Sequence, residues 1–124
     1  MKNREAWKTR VSPEQRIRLG PRKVRVPDIC VMRSDTPKEQ VITHPPLICI
    51  EILSPKDTLR KMRMKADDYL DFKTEHVWII DPGLRKGCVC SRTGLQEPEN
   101  GVLLVQGTPI RVVLSELFEE LDRA

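Results

Sequence analysis

Apolar positions along this chain fall mostly into short runs or alternate with polar ones, and helical spacing takes over in two places. Val11 to Leu19 alternates loosely, with Gln15, Ile17 and Leu19 set against Arg16 and Arg18, and predicts an exposed strand closed by Gly20-Pro21. Val24 to Met32 predicts a second strand after that turn. Leu47 to Leu53 is apolar on both faces apart from Glu51, as expected of a central strand. Ser54-Pro55-Lys56-Asp57 then predicts a helix start, with serine as cap, proline in the first turn and Asp57 three residues after the cap. That helix is expected to reach about Phe72, with Leu59, Met62, Ala66, Tyr69 and Leu70 as its apolar stripe. Val77 to Ile80 reads as another buried strand ended by Asp81-Pro82-Gly83. Shorter strands follow around Cys88–Cys90 and Val102–Val105, then an extended Ile110 to Leu114 and a short amphipathic helix from Ser115 to Leu121. Residues 1–10 read as a frayed or partly helical lead-in. Strands, helix, strands, helix make an α/β layer with a mixed sheet.

Two of these runs carry an acid where a strand should be buried. Asp28 lies within Val24–Met32 and Glu51 within Leu47–Leu53. An unpaired charge in a core is costly, so such acids need a metal, a proton or a partner. Strand parity puts Glu51 on the face of Leu53, opposite Ile50 and Ile52, and Asp28 on the face of Val26 and Cys30. If the two strands are neighbours, the carboxylates converge on one hard cation, which prefers oxygen ligands, and the backbone carbonyl of Ile52 is a further donor. Lys65, on the predicted helix three residues after Met62 and four before Tyr69, flanks the buried stripe. From there its ammonium could orient a water or offset developing charge. Two acids and a lysine are the minimal kit for metal-assisted phosphodiester hydrolysis.

Size and charge sharpen the picture. At 124 residues the chain is long enough for one domain with one sizeable core. No apolar run approaches the roughly 20 residues of a membrane span, and the first residues do not read as a secretory signal, so the expected address is cytoplasmic. Cys30 and Cys49 read as small core residues, and Cys88-Val89-Cys90 lacks the second half of a zinc set. The net charge of +4 is uneven: residues 1–25 sum to +7 and the remainder to −3, which makes the first quarter a candidate phosphate-facing surface. With two tryptophans and one tyrosine, a base-stacking platform is not expected.

The combination Arg25-Val26-Pro27-Asp28, Pro45-Pro46 through Glu51 to Ser54-Pro55, Lys65 with Tyr69, and Val77-Trp78-Ile79-Ile80-Asp81-Pro82 resembles the Uma-type putative restriction endonucleases of the P-D-(D/E)-x-K superfamily. The resemblance covers about residues 10–122. It implies a restriction-endonuclease-like fold, with a mixed central sheet flanked by helices and a single domain over residues 1–124. It also implies Mg²⁺-dependent DNA cleavage (Mn²⁺ substituting), a metal site at Asp28 and Glu51, and a lysine supplied by the following helix, here Lys65. Position 53, where the superfamily pattern places its lysine, is leucine here. The chain also departs from the family in a short region before the first strand, expected to lack the usual N-terminal helical part. It has Lys61 where many members hold an acid, and Lys73 and Thr74 near a helix end where glycine is usual.

The remaining polar candidates read structurally: Ser54 as a cap, Asp81 as a strand-end turn residue, Glu14 as peripheral, and His44 and His76 as structural. DNA is the expected partner, a homodimer a candidate assembly, and no membrane is expected. A rival reading is a catalytically inactive nuclease fold serving as a DNA- or protein-binding module. A third is a small interaction module whose acids are salt-bridged to arginines.

Overall fold

The computed structural model describes residues 9–123, so most of the lead-in expected over residues 1–10 lies outside the described residues. The elements run β1 (Thr9–Pro13), β2 (Arg16–Gly20), β3 (Lys23–Arg25), β4 (Ile29–Arg33), β5 (Val41–Ile42), β6 (Ile48–Ile52), α1 (Leu59–Asp71), β7 (His76–Asp81), β8 (Lys86–Ser91), β9 (Gly94–Gln96), β10 (Val102–Leu104), β11 (Arg111–Val113) and α2 (Leu114–Arg123). A six-stranded sheet has the order β1-β4-β6-β7-β8-β9, with a small sheet β3-β2-β5 and a hairpin β10-β11 beside it.

β6 and β7 are the axis of the fold. They pair in parallel, Ile48 opposite His76 through Ile52 opposite Ile80. A parallel pair needs a long crossover, and α1 supplies it. Both strands are covered on both sides, which explains their nearly unbroken apolar runs. Ile48, Ile50, Trp78 and Ile80 face a core closed by Leu103, Ile110, Leu114 and Phe118. Cys49, Val77 and Ile79 face a second core with Cys30, Met32, Ile17 and the helix residues Met62, Ala66 and Tyr69. The architecture is therefore α/β, a mixed sheet with α1 on one face and α2 on the other.

The structure corrects several element boundaries. The single strand expected over Val11–Leu19 is two, bent apart at Glu14, whose φ is +48°. Ile17 is fully buried rather than on an exposed strand. Val24–Met32 also splits, because Pro27 has no N–H to donate and the chain changes sheets there: β3 pairs with β2, whereas β4 pairs with β1 and β6. The short β5 and β9 carry too few alternating residues to stand out from loops.

Helix α1 begins later than Ser54. Asp57 accepts from the Ser54 amide at 2.8 Å and folds residues 54–57 into a turn of their own. Thr58 is the cap, its Oγ1 accepting from the Lys61 amide at 3.1 Å, worth about 1 kcal/mol. Leu59, expected in the apolar stripe, is consequently exposed. The helix ends at Asp71, where Thr74 N–H bonds to the Tyr69 carbonyl and Lys73 N–H to that of Leu70. That closure needs a left-handed residue, and Lys73 takes it with φ +73°.

Candidate functional site

The C-terminal part of β6, the approach to β4 and the buried face of α1 meet at one point. The β4–β6 ladder runs antiparallel, with Val31 opposite Ile48, Cys30 opposite Cys49 and Ile29 opposite Ile50. One step further along that register puts Asp28 beside Glu51, on the Cys30 and Cys49 face, where α1 lies. Asp28 itself sits just ahead of β4, half-buried, in the bend that Pro27 imposes. Its Oδ2 accepts from the Ile52 amide at 2.6 Å, and its carbonyl accepts from the Glu14 amide at 3.1 Å. Both ends of the residue are thereby pinned, one to β6 and one to the corner after β1.

Glu51 is 2% exposed. Its Oε1 accepts a hydrogen bond from the Tyr69 hydroxyl at 2.6 Å, and its Oε2 lies 3.7 Å from Lys65 Nζ. Burial pushes the Glu51 carboxyl up, to about 7. The Tyr69 hydrogen bond and the Lys65 charge pull it back, while the adjacent Asp28 raises it by charge and by hydrogen bonding. Tyr69 is driven strongly the other way from ionisation, first by burial and then by Glu51, so its O–H is always available to donate. Lys65 keeps its side chain 30% exposed, with its head at the acid and one side toward solvent.

Helix α1 is fastened beside this cluster by Asp68. Its carboxylate accepts from Lys23 Nζ at 2.8 Å and from the Arg25 guanidinium at 2.7 Å. Burial raises the Asp68 pKa, but the hydrogen bonds from Lys23 and Arg25 outweigh it and hold the carboxyl below its usual range. Arg25 is thus turned to Asp68 rather than to Asp28.

The structure therefore brings Asp28, Glu51, Lys65 and Ile52 together, Ile52 through its amide. Tyr69, read from the sequence as an apolar stripe residue, touches Glu51 directly. The available signal was its spacing of four from Lys65 on a helix facing the strand of Glu51. The Lys23–Arg25–Asp68 group had no such signal, since it joins residues more than 40 positions apart. The other polar candidates lie elsewhere: His44 pairs with Glu39, Asp81 accepts from the Leu84 amide in the β7–β8 turn, and Ser54 serves the turn before α1.

The donor set is chemically selective. Two carboxylates offer hard oxygen ligands, and their mutual repulsion favours a cation between them. Cys49, a soft donor on that face, is held as a thiol because burial pushes its pKa well up. Among the described residues no three His, Cys, Asp or Glu side chains are grouped to hold a metal, so the acids of this site number two. A pair suits Mg²⁺, which keeps several waters and needs only one or two protein carboxylates.

Comparison with known proteins gives the family and the fold. The family described as Uma2, putative restriction endonuclease, matches residues 3–121. A solved structure of a putative nuclease belonging to DUF820 from Anabaena variabilis ATCC 29413 is similar with a TM-score of 0.79 at 23% identity, covering 96% of this chain and 73% of that one. That likeness carries the fold, which is restriction-endonuclease-like. No curated protein matches the chain. Among the described residues no helix is long and apolar enough to cross a membrane.

Proposed function

This chain belongs to the Uma2 family of putative restriction endonucleases, and we propose that it hydrolyses DNA phosphodiester bonds with a divalent cation, Mg²⁺ or Mn²⁺, held by Asp28 and Glu51. The observation that carries this reading is the buried Glu51 carboxyl, raised to about 7 and shared between the Tyr69 hydroxyl and the Lys65 ammonium, with Asp28 beside it. A structural acid in that position would be better replaced by an apolar residue. When bound, the cation supplies charge neutralisation for the two acids and polarisation of the scissile phosphate. The carbonyl of Ile52 is a further ligand in this reading.

The chain's own residues do the rest. The Tyr69 O–H fixes the orientation of the Glu51 carboxylate, leaving Oε2 directed to Lys65. The Ile52 amide fixes Asp28 in the same way. Lys65 orients the attacking water and offsets the negative charge that builds on the phosphate oxygens. In the reaction the water oxygen forms a bond to phosphorus, the bond from phosphorus to the leaving deoxyribose oxygen breaks, and the water's proton passes to solvent. The leaving oxygen is protonated as the strand end departs.

Nicking of supercoiled plasmid in Mg²⁺ tests the proposal, comparing wild type with Glu51→Ala and Lys65→Ala. Loss of nicking by a factor of about 10² or more in each variant is expected. Equal nicking by wild type and Glu51→Ala would remove the site assignment. No nicking by any form, with DNA binding retained, would favour a catalytically inactive binding module.

A further inference from the structure

The stretch from Gln15 to Pro27 holds five cations, Arg16, Arg18, Arg22, Lys23 and Arg25, and no acid. It folds into the β2–β3 hairpin, Ile17 opposite Arg25 and Arg18 opposite Val24. Parity divides its charges into two sets with different surroundings. Ile17 is buried in the α1-side core, and Arg25 on the same side turns inward to Asp68. Arg16 and Arg18 project from the outer side and are exposed, as is Arg22 at the turn. Among the described residues, Arg16, Arg18 and Arg22 have no ion-pair partner; Arg18 donates to the Pro21 carbonyl at 3.3 Å, which stiffens the tip.

Two features connect this hairpin to the site. The chain leaves β3 at Arg25 and reaches Asp28 three residues later. The hairpin is also latched to α1 through Lys23 and Arg25 on Asp68, three residues beyond Lys65. The hairpin is thus a rigid lip fixed to both of the elements that carry Asp28 and Lys65. Lys56, Arg60 and Lys61 are also exposed, on the first turn of α1 and the loop before it. Unpaired guanidiniums on a fixed ribbon match the phosphate backbone in charge and in bidentate geometry. Val24, exposed and opposite Arg18, adds an apolar strip of the kind that lies against sugars.

We propose that the outer face of the β2–β3 hairpin, through Arg16, Arg18 and Arg22, clamps the phosphate backbone of duplex DNA beside the acid pair. The proposal deepens the nuclease reading and rests on it for the choice of DNA. Clamping is independent of metal and of sequence, because phosphate contacts position the duplex without reading bases.

The test is fluorescence anisotropy of a labelled DNA duplex in EDTA, with the full chain, over a range of NaCl. The variant Arg16→Gln/Arg18→Gln/Arg22→Gln keeps the stems and removes the charges. Its affinity is expected to fall about tenfold or more, and the slope of log K against log salt to shrink by about 2.7, roughly 0.9 for each of three lost contacts. Arg16→Lys/Arg18→Lys/Arg22→Lys should restore most of the salt slope. The charge-matched control Lys86→Gln/Arg111→Gln/Arg123→Gln, with cations on the α2 side, should leave both unchanged. A hairpin variant that binds like wild type, or a control that loses as much, would overturn the clamp. Because EDTA removes catalysis from the readout, a failed clamp with metal-dependent nicking intact leaves the nuclease reading standing. Hairpin-dependent binding with no nicking would do the reverse.

Discussion

Glu51→Gln separates a proton-holding acid from a merely buried one. In the metal-free protein the Glu51 carboxyl sits at about 7, against 4.5 for the ordinary side chain. The folded state therefore binds the proton more tightly than the unfolded chain. Its stabilising contribution is present in full below pH 4.5 and is lost as pH rises through 7. At 1.36 kcal/mol per pKa unit, that loss is about 3 kcal/mol, most of it between pH 5 and pH 8. Glutamine keeps the shape and can still accept from the Tyr69 hydroxyl, but it has no proton to lose. Urea unfolding of both proteins in EDTA at several pH values gives the difference directly, and the other carboxylates cancel because both proteins share them. The stability of Glu51→Gln relative to wild type should rise by about 2.5 kcal/mol from pH 5 to pH 8. Adding Mg²⁺ at pH 8 should then stabilise wild type, by about 2.7 kcal/mol at a hundredfold excess over its Kd, and leave Glu51→Gln unmoved. A difference between the two proteins that does not change with pH would refute the reasoning.

Three further outcomes follow from individual contacts. Tyr69→Phe removes the hydrogen bond that lowers the Glu51 pKa, so the acid limb of the pH profile of nicking should move to higher pH, and unfolding should be easier by about 1–3 kcal/mol. Lys73→Gly should stabilise the protein by about 1 kcal/mol in urea melts, since Lys73 holds the left-handed position that closes α1. Asp68→Asn should weaken the latch of the β2–β3 hairpin to α1, read as faster amide exchange in Lys23–Arg25, at a cost of about 1 kcal/mol.

The sequence shows the central layer more clearly than its margins, for reasons visible at particular residues. Ile48–Ile52 and His76–Asp81 are packed on both faces, so their apolar runs survive any ambiguity of period, and the acid inside the first of them stands out. Parity puts Glu51 on the face of Leu53 and Asp28 on the face of Cys30, and the structure shows that α1 covers that face. The first quarter was harder to read because Glu14 and Pro27 break the backbone without breaking the alternation of side chains. Ile17, flanked by arginines, looks exposed in sequence and is buried only because β2 folds over the α1-side core. The sequence predicts the start of α1 four residues early because Ser54 and Asp57 do form a capping-like pair, but they close a separate turn before Thr58 takes the helix. Tyr69 illustrates the general difficulty: its ring fills the apolar stripe as expected, while the role of its hydroxyl depends on an acid 18 residues away.

The most direct test is Mn²⁺ titration followed by electron paramagnetic resonance, in which free Mn²⁺ is counted as protein is added. Wild type should bind one ion per chain, competed by Mg²⁺, and both Asp28→Asn and Glu51→Gln should abolish that binding while remaining folded. Undiminished Mn²⁺ binding by either variant would contradict a cation shared by Asp28 and Glu51.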